Sequence, residues 1–167
     1  ILILTGESRG QSNVEYIGEA CKLARKYFRM VGLEIYPVNT DEYKYLHECG
    51  ADYVTVFQET YDADRYEQLH LLGHKRVWPY RFDAQERALR GGMRGVAFSA
   101  LLGLSDFRKD ALASAFTICR ENILTLKCRC PVQDSDRSSI TTRSTLWMFT
   151  KNSFVRCFVH TVSSCRM

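Results

Sequence analysis

Four short apolar runs recur along the first 119 residues, each closed by polar residues, with helical spacing between them and after the last. No other feature of the chain narrows its fold as much. Residues 1–4 end at Thr5-Gly6-Glu7, residues 33–38 at Asn39, and residues 53–57 at Gln58-Glu59-Thr60. Residues 96–102 are closed by Gly103, followed by Leu104-Ser105-Asp106. Helical patterns lie between the runs. Val14, Ile17, Cys21, Ala24 and Phe28 fall on one face, with Gly32 as the terminator. Asn39 stands where a cap belongs, with Glu42 three residues on to reach back, and that helix stops at Gly50. Asp83 and Glu86 repeat the device, and Gly91-Gly92 close it. Residues 109–120 read as a further helix.

Strand and helix in alternation predict a parallel sheet with crossover helices. Runs apolar on both faces predict a sheet buried on both sides. The C-terminal ends of such strands lie on one rim, where binding and chemistry sit. Four strands are too few to close an eight-stranded barrel. The predicted fold class is therefore α/β, a partial (β/α) barrel of the TIM type, lacking its first and last strands. Ile1-Leu2-Ile3-Leu4 reads as mid-strand, so the chain is expected to start inside a larger protein.

Composition adds exclusions. A content of 46% hydrophobic and 25% charged residues is ordinary for a globular domain, and 167 residues suffice for a sizeable core. No apolar run reaches the ~18 residues that a bilayer span requires. The N-terminus is not a signal peptide. The expectation is a cytoplasmic protein with no membrane contact. The net charge of +4 is unevenly placed: residues 1–119 hold 15 Lys+Arg against 16 Asp+Glu, and residues 120–167 hold 8 against 3. Residues 120–167 also lack Gly, Ala and Tyr, although residues 1–119 hold all ten Gly and all nine Tyr. They are rich in Ser and Thr and hold four of the seven Cys. We divide the chain into an α/β part, 1–119, and an atypical tail, 120–167. No nucleic-acid role is assigned to a basic excess confined to that tail.

Several residues at the rim have two readings. Gly6-Glu7 is either a turn with a solvent-facing glutamate or a carboxylate placed to receive an ammonium group. Glu59 and Thr60 close a strand, and a carboxylate there must face water or meet a cation or ligand. Arg81, in Trp78-Pro79-Tyr80-Arg81-Phe82, can pair with Glu59 or bind a substrate carboxylate through its planar fork. Tyr61, Tyr66 and Tyr80 read as rim packing. His70 and His74 are four apart, but Gly73 intervenes and no Glu follows His70, so no metal is assigned. There is no phosphate-binding glycine loop. Seven cysteines with no sign of secretion do not suggest a disulfide framework, and Cys128-Arg129-Cys130 is too tight for a metal pair.

Four strings in order carry a resemblance: Leu4-Thr5-Gly6-Glu7; Tyr36-Pro37-Val38-Asn39-Thr40-Asp41-Glu42-Tyr43; Val56-Phe57-Gln58-Glu59-Thr60-Tyr61; and Ala100-Leu101-Leu102-Gly103-Leu104-Ser105-Asp106. Together they resemble the radical S-adenosylmethionine tyrosine lyases, over residues 1 to about 119. The stretch from Asn39 to Tyr43 favours the thiamine-thiazole branch over the branch that matures iron hydrogenases.

The resemblance implies a full or partial (β/α) barrel. It implies S-adenosylmethionine and a [4Fe–4S] cluster as cofactors, and L-tyrosine as substrate. The Cα–Cβ bond of tyrosine would be cleaved to 2-iminoacetate and p-cresol, and a thiazole synthase would be the partner. It also implies roles. Gly6 and Glu7 match the motif that holds the methionine amino group, and Glu59 and Thr60 match polar strand-end residues near the cofactor. Arg81 matches an arginine expected at its carboxylate. The strand from Val96 to Gly103 matches the one bordering the adenine.

One departure is large. The C-x-x-x-C-x-x-C spacing of the cluster ligands is absent, and the resemblance puts it upstream of Ile1. The chain alone is therefore expected to be inactive as a lyase. The tail is expected to be an out-of-frame translation, because a one-base-shifted reading of its back-translation permits a helical pattern. The reading from a different class is a non-catalytic α/β fragment that serves as an interaction module.

Overall fold

The computed structural model describes residues 1–121 and 125–126. Five parallel strands form one sheet in sequence order: β1 Leu2–Leu4, β2 Gly32–Glu34, β3 Tyr53–Glu59, β4 Gly95–Ala100 and β5 Thr125–Leu126. The helices are α1 Val14–Arg25, α2 Thr40–Glu48, α3 Ala63–Leu69, α4 Trp78–Phe82, α5 Ala84–Arg90 and α6 Phe107–Glu121. Parallel neighbours in sequence order, joined by helices, are an open portion of a (β/α) barrel. The expected fold class is borne out. Apart from the end of α6 and β5, residues 120–167 and the out-of-frame reading of them lie outside the described residues.

The pattern of apolar residues decides which face is dry. Ile3, Leu33, Val54 and Val96 are successive cross-strand neighbours. They pack with Val14, Ile17, Cys21 and Ala24 of α1, Tyr43 and Leu46 of α2, and Ala84 and Ala88 of α5 in one core. The next row, Leu4, Glu34, Thr55 and Ala97, points to the opposite face. That face grades from open to closed: Leu4 is 62% exposed, whereas Thr55 and Ala97 are buried. Burial on both sides, as expected, holds only at the sheet centre.

Local chemistry sets the ends. Asn13 caps α1 by accepting the Tyr16 N–H at 2.8 Å. Glu42 returns to the Asn39 N–H at 2.8 Å, the expected half of a capping box. Gly50 turns the chain after α2 at φ +110°, a conformation that favours glycine. Two terminators behave differently from expectation. Gly32 does not end α1; it opens β2, where the Tyr53 ring lies over it, and a Cβ there would come within 2.1 Å of the ring. Asp83 makes no side-chain cap, because it also caps the C-terminus of α4: its N–H donates to Pro79 O at 3.1 Å, and ψ is 8° rather than extended. Asp52 joins the opposite, N-terminal ends of the strands. Its carboxylate accepts the Val31 N–H at 2.9 Å and Arg25 at 2.8 Å.

Candidate functional site

Strand β3 ends in a distortion that sequence reading did not foresee. Phe57 pairs with Ser99 and Glu59 with Ala100, so Gln58 is an extra residue, a β-bulge. Glu59 has φ +72°, and the Thr60 N–H donates back to Gln58 O at 3.1 Å. A residue at positive φ spanned by an i to i+2 bond is the pattern of the strained form of γ-turn. The Leu101 N–H donates to Glu59 O at 2.7 Å, which holds the turn against the end of β4. Bulge and turn together change the direction in which the Glu59 carboxylate leaves the strand.

That carboxylate meets three other charges. Arg81, 4% exposed, donates to both Glu7 oxygens at 2.8 and 3.1 Å and to Phe57 O at 2.5 Å. Its other guanidinium nitrogen is 3.6 Å from Glu59. Lys75 Nζ lies 2.5 Å from Glu59 and 3.7 Å from Glu7. Glu7 follows β1, Glu59 ends β3, Arg81 comes from α4, and Lys75 comes from a single 3-10 turn, His74–Arg76. The cluster holds two carboxylates and two cations. Of the two readings left open for Arg81, the pairing with Glu59 is present only at 3.6 Å, and the closer carboxylate is Glu7 at 2.8 Å, which the sequence did not single out as its partner. The Tyr66 hydroxyl, pushed up to about 12 by burial, donates to Lys75 O at 2.5 Å. A cleft of about 90 Å³ opens beside the cluster, lined by Glu7, Arg9, Tyr36, Pro37, His74 and Tyr80.

The other residues singled out from sequence fall around this centre. Gly6 is exposed with open space about it. Gly103 follows β4 at φ +108°. Thr60 is fully buried and its hydroxyl is committed elsewhere: it donates to Asp110 at 3.0 Å and accepts the Asp62 N–H at 3.1 Å. The three charged residues come together at the rim, and Thr60 supports the turn from behind. Tyr66 is fully buried, and Tyr80 donates to Asn39 at 2.9 Å. His70 and His74 share no helix: His70 follows α3 as its C-terminal cap and stacks on Tyr66, and Gly73, at φ +73°, separates them.

Sequence reasoning missed Lys75 and Asp110. Lys75 sits in a stretch whose 3-10 turn has no periodic signature. Asp110 on α6 accepts the Tyr61 N–H at 2.8 Å as well as the Thr60 hydroxyl. Burial raises its pKa, and these two hydrogen bonds offset the rise only in part. Gln58 is also buried, with both amide atoms unpartnered among the described residues.

The residues present fit one of the two implied cofactors. An amino-acid zwitterion, as in the methionine part of S-adenosylmethionine, presents one ammonium and one carboxylate. Glu7 with Glu59 suits the first and Arg81 the second. Among the described residues an iron–sulfur cluster does not fit. Cys21 and Cys49 are buried between α1 and α2, away from the rim, and burial pushes the Cys21 thiol up to about 11. Among the described residues no three His, Cys, Asp or Glu side chains are grouped to hold a metal ion. No described helix is long and apolar enough to cross a membrane.

Fold and site together define a partial (β/α) barrel whose strand-end rim gathers charges suited to an amino acid. The four-string resemblance to tyrosine lyases is borne out by comparison with known proteins. The chain is similar to the 2-iminoacetate synthases of Salmonella typhimurium and Escherichia coli, each 33% identical over 106 residues. The match covers 64% of this chain and 28% of theirs, so the chain spans well under a third of those relatives. No protein-family model matches. In fold it is similar to HydG, a maturase of the [FeFe]-hydrogenase, with a TM-score of 0.73 at 22% identity, covering 81% of this chain and 33% of that one. HydG from Carboxydothermus hydrogenoformans gives 0.72 at 24%, covering 83% and 35%.

Proposed function

We propose that the chain supplies the cofactor-gripping rim of a radical S-adenosylmethionine tyrosine lyase of the 2-iminoacetate synthase kind. Glu7 and Glu59 accept the α-ammonium group of S-adenosylmethionine, and Arg81 receives its carboxylate. Gly6 leaves room at the β1 turn, Thr60 braces the β3 turn, and Gly103 ends the strand that borders the adenine. When bound together, S-adenosylmethionine and a [4Fe–4S] cluster supply the radical chemistry that cleaves tyrosine. The residues here bind and orient only. Because its sequence lacks the C-x-x-x-C-x-x-C spacing, the chain by itself does not turn over L-tyrosine.

One observation carries this reading: Glu7, Glu59, Lys75 and Arg81 converge at the C-terminal end of a parallel sheet in a chain 33% identical to 2-iminoacetate synthases. The name of those relatives supports the thiamine-thiazole branch, and a thiazole synthase partner and a cytoplasmic setting are part of the proposal that follows from that branch. Likeness to HydG, under 25% identity, speaks to fold alone. For residues 120–167 the proposal is an out-of-frame origin. The coding DNA tests it: if no shifted frame restores strand and helix patterning, the idea is wrong.

Calorimetry of the 167-residue chain with S-adenosylmethionine tests the cofactor role. We expect saturable binding that Arg81→Met and Glu7→Gln each weaken at least tenfold, as for loss of a charge-assisted contact. No binding, or binding indifferent to both changes, overturns the proposal.

A further inference from the structure

We propose that Lys75 is an internal stand-in for the ligand's ammonium group, a side-chain latch that must leave the two carboxylates before an amino-acid zwitterion can occupy them. This rests on the reading of Glu7 and Glu59 as ammonium acceptors.

The geometry singles out Lys75. Its Nζ lies 2.5 Å from Glu59 and 3.7 Å from Glu7, so it sits between the two carboxylates assigned to the incoming cation. A lysine head and an α-ammonium group share charge, size and three donors, so they compete for the same oxygens. Arg81 is different. It is almost fully buried and is fixed by Phe57 O, with a planar fork that keeps it in place to receive a carboxylate. One cation of the cluster is thus built in, and the other is detachable.

The surroundings of Lys75 allow that exchange. Its side chain is 32% exposed and has four rotatable bonds. The turn carrying it is held by two long backbone bonds, Arg76 N–H to Gly73 O and Val77 N–H to His74 O, both 3.3 Å. The residues before it are loosely packed: Leu71 and Leu72 are 67% and 86% exposed, and Gly73 has no heavy atom within 4 Å of where a Cβ would be. The Tyr66 hydroxyl holds the Lys75 carbonyl, so the backbone stays while the side chain swings. With the latch closed, Glu7 and Glu59 are neutralised and Glu59 keeps its strained geometry. A ligand must first displace Lys75, so its apparent affinity is the intrinsic affinity multiplied by the open fraction.

Removing the charge should therefore tighten binding. Lys75→Met keeps the length and apolar stem but not the ammonium, and Lys75→Arg keeps the cation. S-adenosylmethionine is titrated into the full-length wild type and both variants by calorimetry, with circular dichroism confirming that each folds. We expect Lys75→Met to bind on the order of fivefold tighter than wild type and Lys75→Arg to stay within about twofold. Equal or weaker binding by Lys75→Met, with wild type binding, overturns the latch and leaves the proposed function standing; it would make Lys75 a bystander or a partner of the ligand carboxylate. Binding by none of the three overturns both. Should Lys75→Met fail to fold, Lys75→Gln takes its place with the same expected direction.

Discussion

The two sides of strand β3 are built on different principles. On the helix side, Val54 and Val56 sit in a dry core with Leu33, Val96, Ile17, Tyr43 and Leu46. There the chain is regular, the register is continuous, and burial of apolar area supplies the stability. At the C-terminal end the same strand takes an extra residue, turns through positive φ and delivers a carboxylate into a group of four charges. There the chain is irregular, and each group has a specific partner in place of bulk packing. The first region holds the molecule together whatever it binds. The second holds groups in arrangements that cost stability and make sense through a ligand.

Breaking the first region should produce the largest effect. Tyr43 is fully buried under α5, with its Cβ beside Gly91 and its hydroxyl accepting the Val38 N–H at 3.4 Å. Tyr43→Ala leaves a ring-sized hole and should cost about 3–5 kcal/mol in urea denaturation. A loss below about 1 kcal/mol would mean that the core collapses onto the gap, and the contrast between the regions would weaken. At the rim, Arg81→Met should cost roughly 2 kcal/mol. That is less than a fully enclosed pair, because Glu7 reaches solvent and Lys75 stays to neutralise Glu59. No loss in the same denaturation experiment would show that Lys75 alone balances both carboxylates.

The same contrast explains what could be read in advance. Each helix face at i, i+3, i+4 spacing, each apolar run and the Asn39–Glu42 box are local patterns, and they gave α1, α2, α5, α6 and four strands in place. Glu7, Glu59 and Arg81 could be named because strand ends and an arginine in an apolar setting are visible in sequence. Their meeting point was not. It depends on a bulge at Gln58, set by the pairing of β3 with β4, and on α4 bringing Arg81 to Glu7 in the segment after β1. Lys75 was missed because a 3-10 turn leaves no periodic mark, and Asp110 because nothing in Lys109-Asp110-Ala111 tells that it faces the turn after β3, about fifty residues earlier. The helix expected to run to Phe28 ended at Arg25, and Gly32 was needed by the Tyr53 ring of the neighbouring strand, a tertiary contact.

A smaller effect should reveal strain at Glu59. Either Glu59→Ala or Glu59→Gly removes the carboxylate, so the two variants lose the same ion pairs. They differ in the backbone: alanine at φ +72° keeps the penalty, and glycine relieves it. Glu59→Gly should be more stable than Glu59→Ala by about 1 kcal/mol in matched denaturation curves. Along a regular strand such as Val54 or Val56 the order should reverse, since glycine there only adds chain entropy to be lost. Equal stability of the two Glu59 variants would mean that the turn relaxes once the charge is gone.

The smallest effect at neutral pH is expected from Asp110→Asn, at a residue that braces the same turn from the dry side. Its carboxylate is buried and its folded pKa is raised, with burial the main cause and Asp62 and Asp106 adding to it. An acid with a raised folded pKa binds its proton more tightly in the folded state than in the unfolded one. Its contribution to stability is therefore fully present below the unfolded pKa and falls as pH rises through the folded value. Asp110→Asn keeps an acceptor for Thr60 and Tyr61 but cannot ionise. Relative to wild type, it should be at least as stable at pH 7, and its advantage should shrink as pH falls toward 4, by no more than about 1.4 kcal/mol per pH unit. Asp110→Ala is the contrasting variant. It leaves the Thr60 hydroxyl and the Tyr61 N–H without this acceptor, and should cost about 1–3 kcal/mol across the whole range. Denaturation of the three proteins between pH 4 and 7.5 measures both. If Asp110→Asn is the less stable at pH 7, the ionised carboxylate is itself a favourable partner of the turn, and the rim is better stabilised from within than its buried acid suggests.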